Sequence, residues 1–161
     1  PGGGLVSLLI WLACSSAEVV EIAVEPEPIG LAECAVCGMT VGEQPSPRGQ
    51  VQHRDGQHLH LCSLGDLRAY LAAPSPLGTP VGVWVEVLPA DLDPSQRDPN
   101  QQAWMPASEA AYLGGVPRAA IMGEPLLSYA GPPEAQQAQG LWGGQRYTWE
   151  QLEATDFSRL P

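Results

Sequence analysis

The sequence predicts an α+β protein in which two small ββαβ units pack on one another, preceded by a signal segment and an acidic tether. Apolar residues make up 44% of the 161-residue chain, which is enough for a packed core. Alternating and helical apolar patterns follow one another in the order strand, strand, helix, strand, and this order occurs twice. Because a unit of about 60 residues buries only part of its surface alone, we expect the two units to pack together.

The first unit has the clearer pattern. Asp55 and Gly56 are typical of a two-residue hairpin turn, and residues 58–62 after them alternate strictly between polar and apolar side chains. Ser63, which stands three residues before an aspartate, predicts the start of a helix that ends near Pro74. Valine at every second position over 81–87 predicts a half-buried strand.

The second unit repeats this order. Short apolar runs at 110–113 and 126–130 predict its first two strands. A helix is expected over 134–139, closed by Gly140, and a last strand is expected over 146–149.

Composition shifts divide the chain into five parts. Glutamates and prolines without apolar periodicity predict an extended tether before the first unit, and a proline-containing polar stretch predicts a linker after it. The expected parts are a truncated signal segment (1–13), the tether (14–32), the first unit (33–90), the linker (91–103) and the second unit (104–161).

The first residues are typical of an export signal. A mainly apolar stretch of nine residues, 5–13, precedes Cys14, and this stretch is too short to span a bilayer. The position of Cys14 resembles a bacterial lipobox, in which the cysteine is lipidated, and Ser15 after it favours the outer membrane. This interpretation predicts a periplasmic, lipid-anchored protein. A plain signal peptide with an incidental cysteine is the alternative, and it predicts a soluble secreted protein.

The charge balance excludes one class of partner. The chain has 18 acidic and 7 basic residues, no lysine, and a net charge of -11. Such a surface repels phosphate backbones, so we expect no nucleic-acid partner. We also expect no catalytic turnover, because the sequence has no G-x-S-x-G motif and no evident carboxylate partner for its three histidines.

Sulfur ligands are concentrated in one short motif. Cys34, Cys37 and Met39 lie within six residues, and Gly38 lets the chain turn so that three sulfurs can meet. Thiolate and thioether are soft ligands that together favour Cu(I) over harder divalent ions. Two alternatives stay open. The Cys34 and Cys37 pair also suits a thiol-disulfide oxidoreductase, and together with Cys62 and a histidine it suits a structural zinc site.

A second group of candidate metal ligands lies on the second strand of the hairpin. Alternation that sends Leu59 and Leu61 inward places His58, His60 and Cys62 on the opposite face. Imidazole and thiolate both bind copper and zinc, and the helix start after Cys62 favours its thiolate. A solvent-facing strand with two ordinary histidines is the simpler expectation.

Several motifs occur in the order seen in the NosL family. They are the runs 34–40, 45–50 and 61–63, Trp104, and the runs 110–112 and 121–123. The sequence from Cys34 to about Leu152 therefore resembles NosL proteins, which are bacterial lipoproteins encoded with nitrous oxide reductase and act as Cu(I) chaperones for its copper centres. The fold of that family, like that of the related organomercurial lyases, resembles two ββαβ units.

The resemblance implies ligands and partners for this chain. It implies Cys37 and Met122 as the principal Cu(I) ligands, with Cys34 and Met39 as secondary ligands. It implies apo nitrous oxide reductase as the copper recipient and a membrane anchor through lipid at Cys14. It leaves open a homodimer or a heterodimer with a partner protein, and a lyase that cleaves carbon-metal bonds is the alternative activity.

Overall fold

The computed structural model of this chain describes residues 22–45, 47–93, 96, 102–116 and 125–155. Its strands are β1 (Gly49–Gln52), β2 (His58–Leu61), β3 (Gly82–Glu86), β4 (Trp104–Pro106), β5 (Ala111–Gly114), β6 (Leu127–Tyr129) and β7 (Gln145–Tyr147). Its helices are α1 (Leu64–Ala72), α2 (Pro132–Trp142) and α3 (Trp149–Ala154), and a 3-10 turn covers Val41–Glu43. The expected signal segment, Cys14 and Met122 lie outside the described residues.

The strands form two antiparallel sheets with the orders β2-β1-β3-β4 and β6-β5-β7. In each unit the first strand lies between the second strand and the strand that follows the helix. The expected fold of two ββαβ units packed together is therefore confirmed. Within the part of the chain that the structure describes, no helix has the length and apolar character needed to cross a membrane.

Three element boundaries differ from the sequence predictions. β4 begins at Trp104, the expected start of the second unit, but it pairs with β3 and completes the first sheet. α2 continues through Gly140 and ends before Gly143, whose φ of 74° breaks the helix. Trp149 begins α3 instead of ending a strand, because Thr148 forms a capping box at the start of that helix.

The β1–β2 hairpin and α1 form as their sequence predicts. Gly56 has a φ of 85°, in the left-handed region that the tight turn requires. The hydroxyl of Ser63 accepts a hydrogen bond from the backbone N–H of Asp66 at 3.0 Å and caps α1. Gly49 allows close packing of α1 on β1, because a Cβ there would lie 2.8 Å from Cδ2 of Leu67. This packing fixes the corner at which β2 passes into α1.

The two units share a hydrophobic core. Leucines of β2 and α1 pack in one buried cluster with Tyr112 and Trp149 of the second unit. A second buried cluster lies between α2 and the strands β5 and β6, and Leu113 is completely buried within it. The second sheet is therefore covered by the first unit on one side and by α2 on the other.

The other face of the first sheet is polar. Its side chains, here called the polar face, are Gln50, Gln52, His58, His60, Trp84 and Glu86. The N-terminal segment, residues 22–29, covers this face. The side chain of Gln50 accepts a hydrogen bond from the backbone N–H of Glu27 at 3.0 Å and donates one to its carbonyl at 3.1 Å. Ile29 is buried in the core, so this segment belongs to the fold, whereas the sequence assigned it to an extended tether outside the ordered domain.

Candidate metal centre

Three thiols and one carboxylate meet at the corner between β2 and α1. Ligand atoms of Cys34, Cys37, Cys62 and Asp66 all lie within 4.8 Å of one another. The Sγ atoms of Cys37 and Cys62 are 3.4 Å apart. The thiols of Cys62 and Cys34 both approach Oδ2 of Asp66, at 2.9 Å and 3.5 Å. We call these four residues the thiol cluster.

A tight turn brings the first two thiols of the cluster together. The backbone N–H of Gly38 donates to the carbonyl of Cys34 at 2.8 Å, and Gly38 takes a φ of 74° that a residue with a side chain rarely adopts. The backbone N–H of Cys34 donates in turn to the carbonyl of Met39 at 2.8 Å. The turn is fixed to β2, because the N–H of Ala35 donates to the carbonyl of His60 at 3.0 Å.

The strand-to-helix corner supplies the other two members of the cluster. Cys62 directly follows β2, and Asp66 lies in the first turn of α1. The backbone N–H of Asp66 donates to the Ser63 cap, and the carboxylate of the same residue accepts from the Cys62 thiol. The N–H of Cys62 donates to Sγ of Cys34 at 3.4 Å, which connects the corner to the tight turn.

Exposure differs sharply among the three thiols. Cys34 and Cys62 are 3% and 1% exposed, whereas Cys37 is exposed to solvent. Cys37 therefore forms the solvent-facing edge of the cluster.

The electrostatics of the cluster correct one sequence expectation. Burial raises the pKa of the Cys62 thiol well above its ordinary value, and hydrogen bonds to Asp66, Cys37 and Cys34 raise it further. The helix start was expected to favour the thiolate, but loss of solvent and a neighbouring carboxylate outweigh that field. In the metal-free protein Cys62 is therefore a hydrogen-bond donor to Asp66, and a metal ion has to displace its proton.

The two histidines of β2 lie elsewhere on the polar face. Their ring nitrogens face the carboxylate of Glu27, with His58 Nδ1 at 3.8 Å and His60 Nε2 at 3.9 Å from Oε1. His60 is only 7% exposed, so the expected solvent-facing strand is wrong. Burial lowers the pKa of His60, against the opposing effect of Glu27.

The structure thus brings together some of the sequence-predicted ligands and not others. Cys34, Cys37 and Cys62 share one cluster. Met39 is partly buried and packs against the hydrophobic core to which Cys34 and Cys62 also belong. Sequence reasoning missed Asp66 as a member of the site. The only available signal was its place three residues after Ser63, which was interpreted as helix capping alone.

The donor set decides what the cluster can hold. Thiolates are soft ligands, and two or three of them satisfy Cu(I) without further donors. Structural zinc sites usually take four nitrogen or sulfur ligands. This cluster offers three sulfurs and one carboxylate oxygen, and zinc also accepts that oxygen. A thiol-disulfide pair needs two neighbouring thiols, and the Sγ of Cys37 has two such neighbours, Cys62 at 3.4 Å and Cys34 within 4.8 Å.

By fold and by site, this chain falls in the class of small α+β proteins with a thiol-rich cluster able to hold a metal ion. The NosL family model matches residues 16–157, and the chain belongs to the NosL family. The family resemblance seen in the motifs is therefore confirmed.

Two relatives support this assignment. The copper-binding lipoprotein NosL of Stutzerimonas stutzeri is 25% identical over 155 residues, which cover 94% of this chain and 80% of that protein. The crystal structure of the copper chaperone NosL from Shewanella denitrificans matches with a TM-score of 0.66 at 22% identity, covering 80% of this chain and 95% of that one. The structural match confirms the fold. Both relatives are named as copper proteins and neither as an enzyme, in agreement with the expectation of no catalytic turnover.

Proposed function

We propose that this protein is an extracytoplasmic Cu(I) metallochaperone that delivers copper to apo nitrous oxide reductase. One observation carries the proposal: two buried thiols and one exposed thiol converge on a single carboxylate. A carrier needs donors soft enough to hold Cu(I) and an accessible edge at which a recipient can take it. The copper-related names of two relatives support the choice of metal.

The proposed ligand set combines the thiol cluster with a methionine. Cys37 and Met122 are the principal ligands, Cys34, Cys62 and Met39 are further candidates, and the family resemblance is the support for Met122. The buried thiols add to the set because their Sγ atoms lie within bonding reach of an ion held by Cys37. Whether the chain works as a monomer, a homodimer or a heterodimer is tested by the loaded protein's mass.

Loading requires the loss of thiol protons. An ion first meets the exposed Sγ of Cys37 and then displaces the proton of Cys62. The S–H bond of Cys62 breaks as the S–Cu bond forms, and the proton passes along the existing 2.9 Å hydrogen bond to Oδ2 of Asp66. Delivery reverses these steps: a recipient ligand binds copper at the Cys37 edge, and the proton returns to Cys62.

The acidic charge of the chain suits it to a basic partner. The net charge of -11 steers the protein toward a basic patch on its recipient and raises the encounter rate at low salt.

Lipid at Cys14 holds the protein on the periplasmic face of the outer membrane. A Cys14→Ala variant that no longer labels with palmitate is the expected result. If the variant still labels, the anchor lies elsewhere, and if the native chain does not label, the protein is soluble and secreted.

Anaerobic Cu(I) titration of the reduced chain against a chromophoric chelator tests the ligand set. We expect one ion per chain, and loss of more than about 100-fold in affinity for Cys37→Ser and for Cys62→Ser, since removing even outer-shell groups costs 10- to 100-fold. Ala130→Ser is the matched control, because Ala130 follows β6 as Cys62 follows β2. Met122→Leu tests the remaining ligand. Equal affinity in the native protein and both cysteine variants contradicts the proposal.

Delivery is tested separately by mixing copper-loaded protein with apo nitrous oxide reductase and excess chelator. Transfer is expected to restore the reductase from loaded native protein, while the chelator prevents restoration by free copper. If the loaded protein binds Cu(I) tightly but never restores the enzyme, the copper site is supported and nitrous oxide reductase is not its recipient.

A further inference from the structure

Two sulfurs of the thiol cluster lie close enough to form a disulfide. The Sγ atoms of Cys37 and Cys62 are 3.4 Å apart, and both residues are free thiols. A disulfide bond is about 2.05 Å long, so the two sulfurs have to approach each other by about 1.4 Å. A change of side-chain position at the more exposed of the two residues is enough for this approach.

The exposed thiol is the one that a dissolved oxidant reaches. Cys37 is exposed and its neighbour Val36 is 45% exposed, so this side of the turn is open to solvent. Cys34 and Cys62 are almost fully buried. Because oxidation of thiols follows their exposure, Cys37 is the residue at which the cluster reacts first.

Cys62 is placed to complete the reaction. Its thiol already donates a hydrogen bond to Oδ2 of Asp66 at 2.9 Å, so a base lies ready to take its proton when its sulfur attacks. The thiol of Cys34 is farther from the same oxygen, at 3.5 Å. The Sγ of Cys34 also accepts the backbone N–H of Cys62 at 3.4 Å, and this contact holds it on the buried side of the cluster.

We propose that Cys37 and Cys62 form a reversible disulfide by exchange with a small-molecule disulfide, and that this bond closes the cluster to Cu(I). Cys37 first attacks one sulfur of the small disulfide, whose other half leaves as a thiol with the proton of Cys37. Cys62 then attacks the mixed disulfide at Cys37, and its proton passes through Asp66 to the second thiolate that leaves. The protein thus loses two electrons and two protons, and one small disulfide becomes two thiols.

The consequence for copper rests on the proposed function, whereas formation of the bond does not. Because the thiolate is the form of cysteine that binds a metal, the disulfide removes the principal ligand Cys37 and one buried ligand at the same time. Cys34 and the carboxylate of Asp66 remain. Bound Cu(I) should in turn protect the pair, since sulfurs that hold the ion are not available for exchange.

The first test maps the bond after the full chain has been oxidised with glutathione disulfide. Trypsin cleaves this lysine-free chain only after arginine. The digest places Cys34 and Cys37 in peptide 1–48 and Cys62 in peptide 55–68. A Cys37–Cys62 bond joins the two peptides, whereas a Cys34–Cys37 bond lies within the first.

We expect joined peptides whose fragment ions assign the bond to Cys37, in a chain that carries Cys14→Ala so that only the cluster thiols react. Cys34→Ser is the matched control and should keep the bond, whereas Cys37→Ser should abolish it. The fragment ions need neither of these two variants, so the assignment is made even if one of them does not fold. Thiols that stay free, a bond confined to the first peptide, or a bond that starts at Cys34 overturns the proposal.

The second test compares the oxidised and reduced chains by anaerobic Cu(I) competition after glutathione has been removed. Oxidation should weaken binding at least as much as Cys37→Ser does, by about 100-fold, and reduction should restore it. Cu(I)-loaded chain should form the bond at least about tenfold more slowly than the free chain. A mapped bond with unchanged Cu(I) affinity overturns the closing of the site. A mapped bond in a chain that binds no Cu(I) even when reduced supports the disulfide and contradicts the copper function.

Discussion

The two ββαβ units share one topology but differ at the corner between the second strand and the helix. In the first unit β2 is followed by Cys62, and Ser63 caps α1 with a side-chain hydrogen bond. In the second unit β6 is followed by Ala130 and Gly131, and α2 begins without a side-chain cap. The comparison shows that the repeated backbone topology alone does not produce a group of metal-ligand side chains. In the first unit, the residues at the corner between β2 and α1 supply part of that group.

The sheets also differ in what covers them. The second sheet is covered by apolar packing against the first unit and α2. The first sheet packs one face on α1, but its polar face is covered by the N-terminal segment, to which Gln50 and Gln52 donate hydrogen bonds. The thiol cluster therefore lies in the unit whose sheet has a polar face, and the second unit packs against it through apolar side chains.

Breaking the buried ion pair of the first sheet is the most damaging change we expect. Arg48 and Glu86 are both almost fully buried, with Nε 2.8 Å from Oε2 and Nη2 3.0 Å from Oε1. Glu86→Gln leaves a buried guanidinium without its counter-charge, so the free energy of unfolding in urea should fall by about 3–5 kcal/mol. Glu109→Gln, on an exposed residue, should change it little. Replacing both partners with apolar residues should recover much of the loss, and a stable Glu86→Gln variant would refute the pair's importance.

A matched pair of core truncations compares how packing in each unit affects stability and Cu(I) binding. Leu67→Ala in α1 and Leu113→Ala in β5 each empty a fully buried position and should lower the free energy of unfolding by about 2–5 kcal/mol. Leu67→Ala should weaken Cu(I) binding more than Leu113→Ala does, because Leu67 follows Asp66 and packs against Gly49 beneath the corner. Equal weakening by both variants, measured by chelator competition, would mean that the packing around β5 matters to Cu(I) binding as much as the packing beneath the corner.

The smallest effect concerns alkaline pH and the second unit. Burial raises the pKa of Tyr112 above its ordinary value of 10.0, and the charges of Glu153 and Glu150 add to the shift. Above about pH 10 the unfolded chain loses this proton before the folded protein does, so stability is complete below that pH and falls as the pH rises further. The loss is at most about 1.4 kcal/mol per pH unit for one proton.

Tyr112→Phe should flatten this alkaline decline in urea unfolding between about pH 9 and pH 11. The same change removes the hydrogen bond from the Tyr112 hydroxyl to the carbonyl of Ala107, so a uniform drop in stability is expected at every pH. Tyr147→Phe is the control on a partly exposed tyrosine. An unchanged slope in Tyr112→Phe would assign the alkaline decline to other groups.

Local patterns explain which parts of the fold could be predicted from the sequence. The hairpin turn, the alternation in β2 and the Ser63 cap depend on neighbours a few residues apart, and each was predicted correctly. β4 is only three residues long, so it has no period by which to assign it to a sheet. Its place beside β3 is decided by pairing across about 20 residues of chain.

In the candidate site, too, local patterns predicted some members and gave no sign of others. Cys34 and Cys37 stood out because their spacing is a local signal, and Cys62 was a weaker candidate from strand alternation. Asp66 already had a local role at the helix start, so nothing in the sequence indicated its second one. The contact between Glu27 and Gln50 joins residues 23 apart and involves an amide and a backbone, a pair that no motif describes.

Asp66 ties the stability of a helix end to the occupancy of the thiol cluster. Its backbone N–H closes the Ser63 cap while its carboxylate holds two thiols, so fraying of the first turn of α1 dismantles the site. By thermodynamic linkage, an ion bound to the cluster must oppose that fraying with the same free energy. Amide hydrogen exchange over the first turn of α1 should therefore be slower when the cluster holds an ion. When a recipient takes the ion, this turn should again open as often as in the ion-free protein.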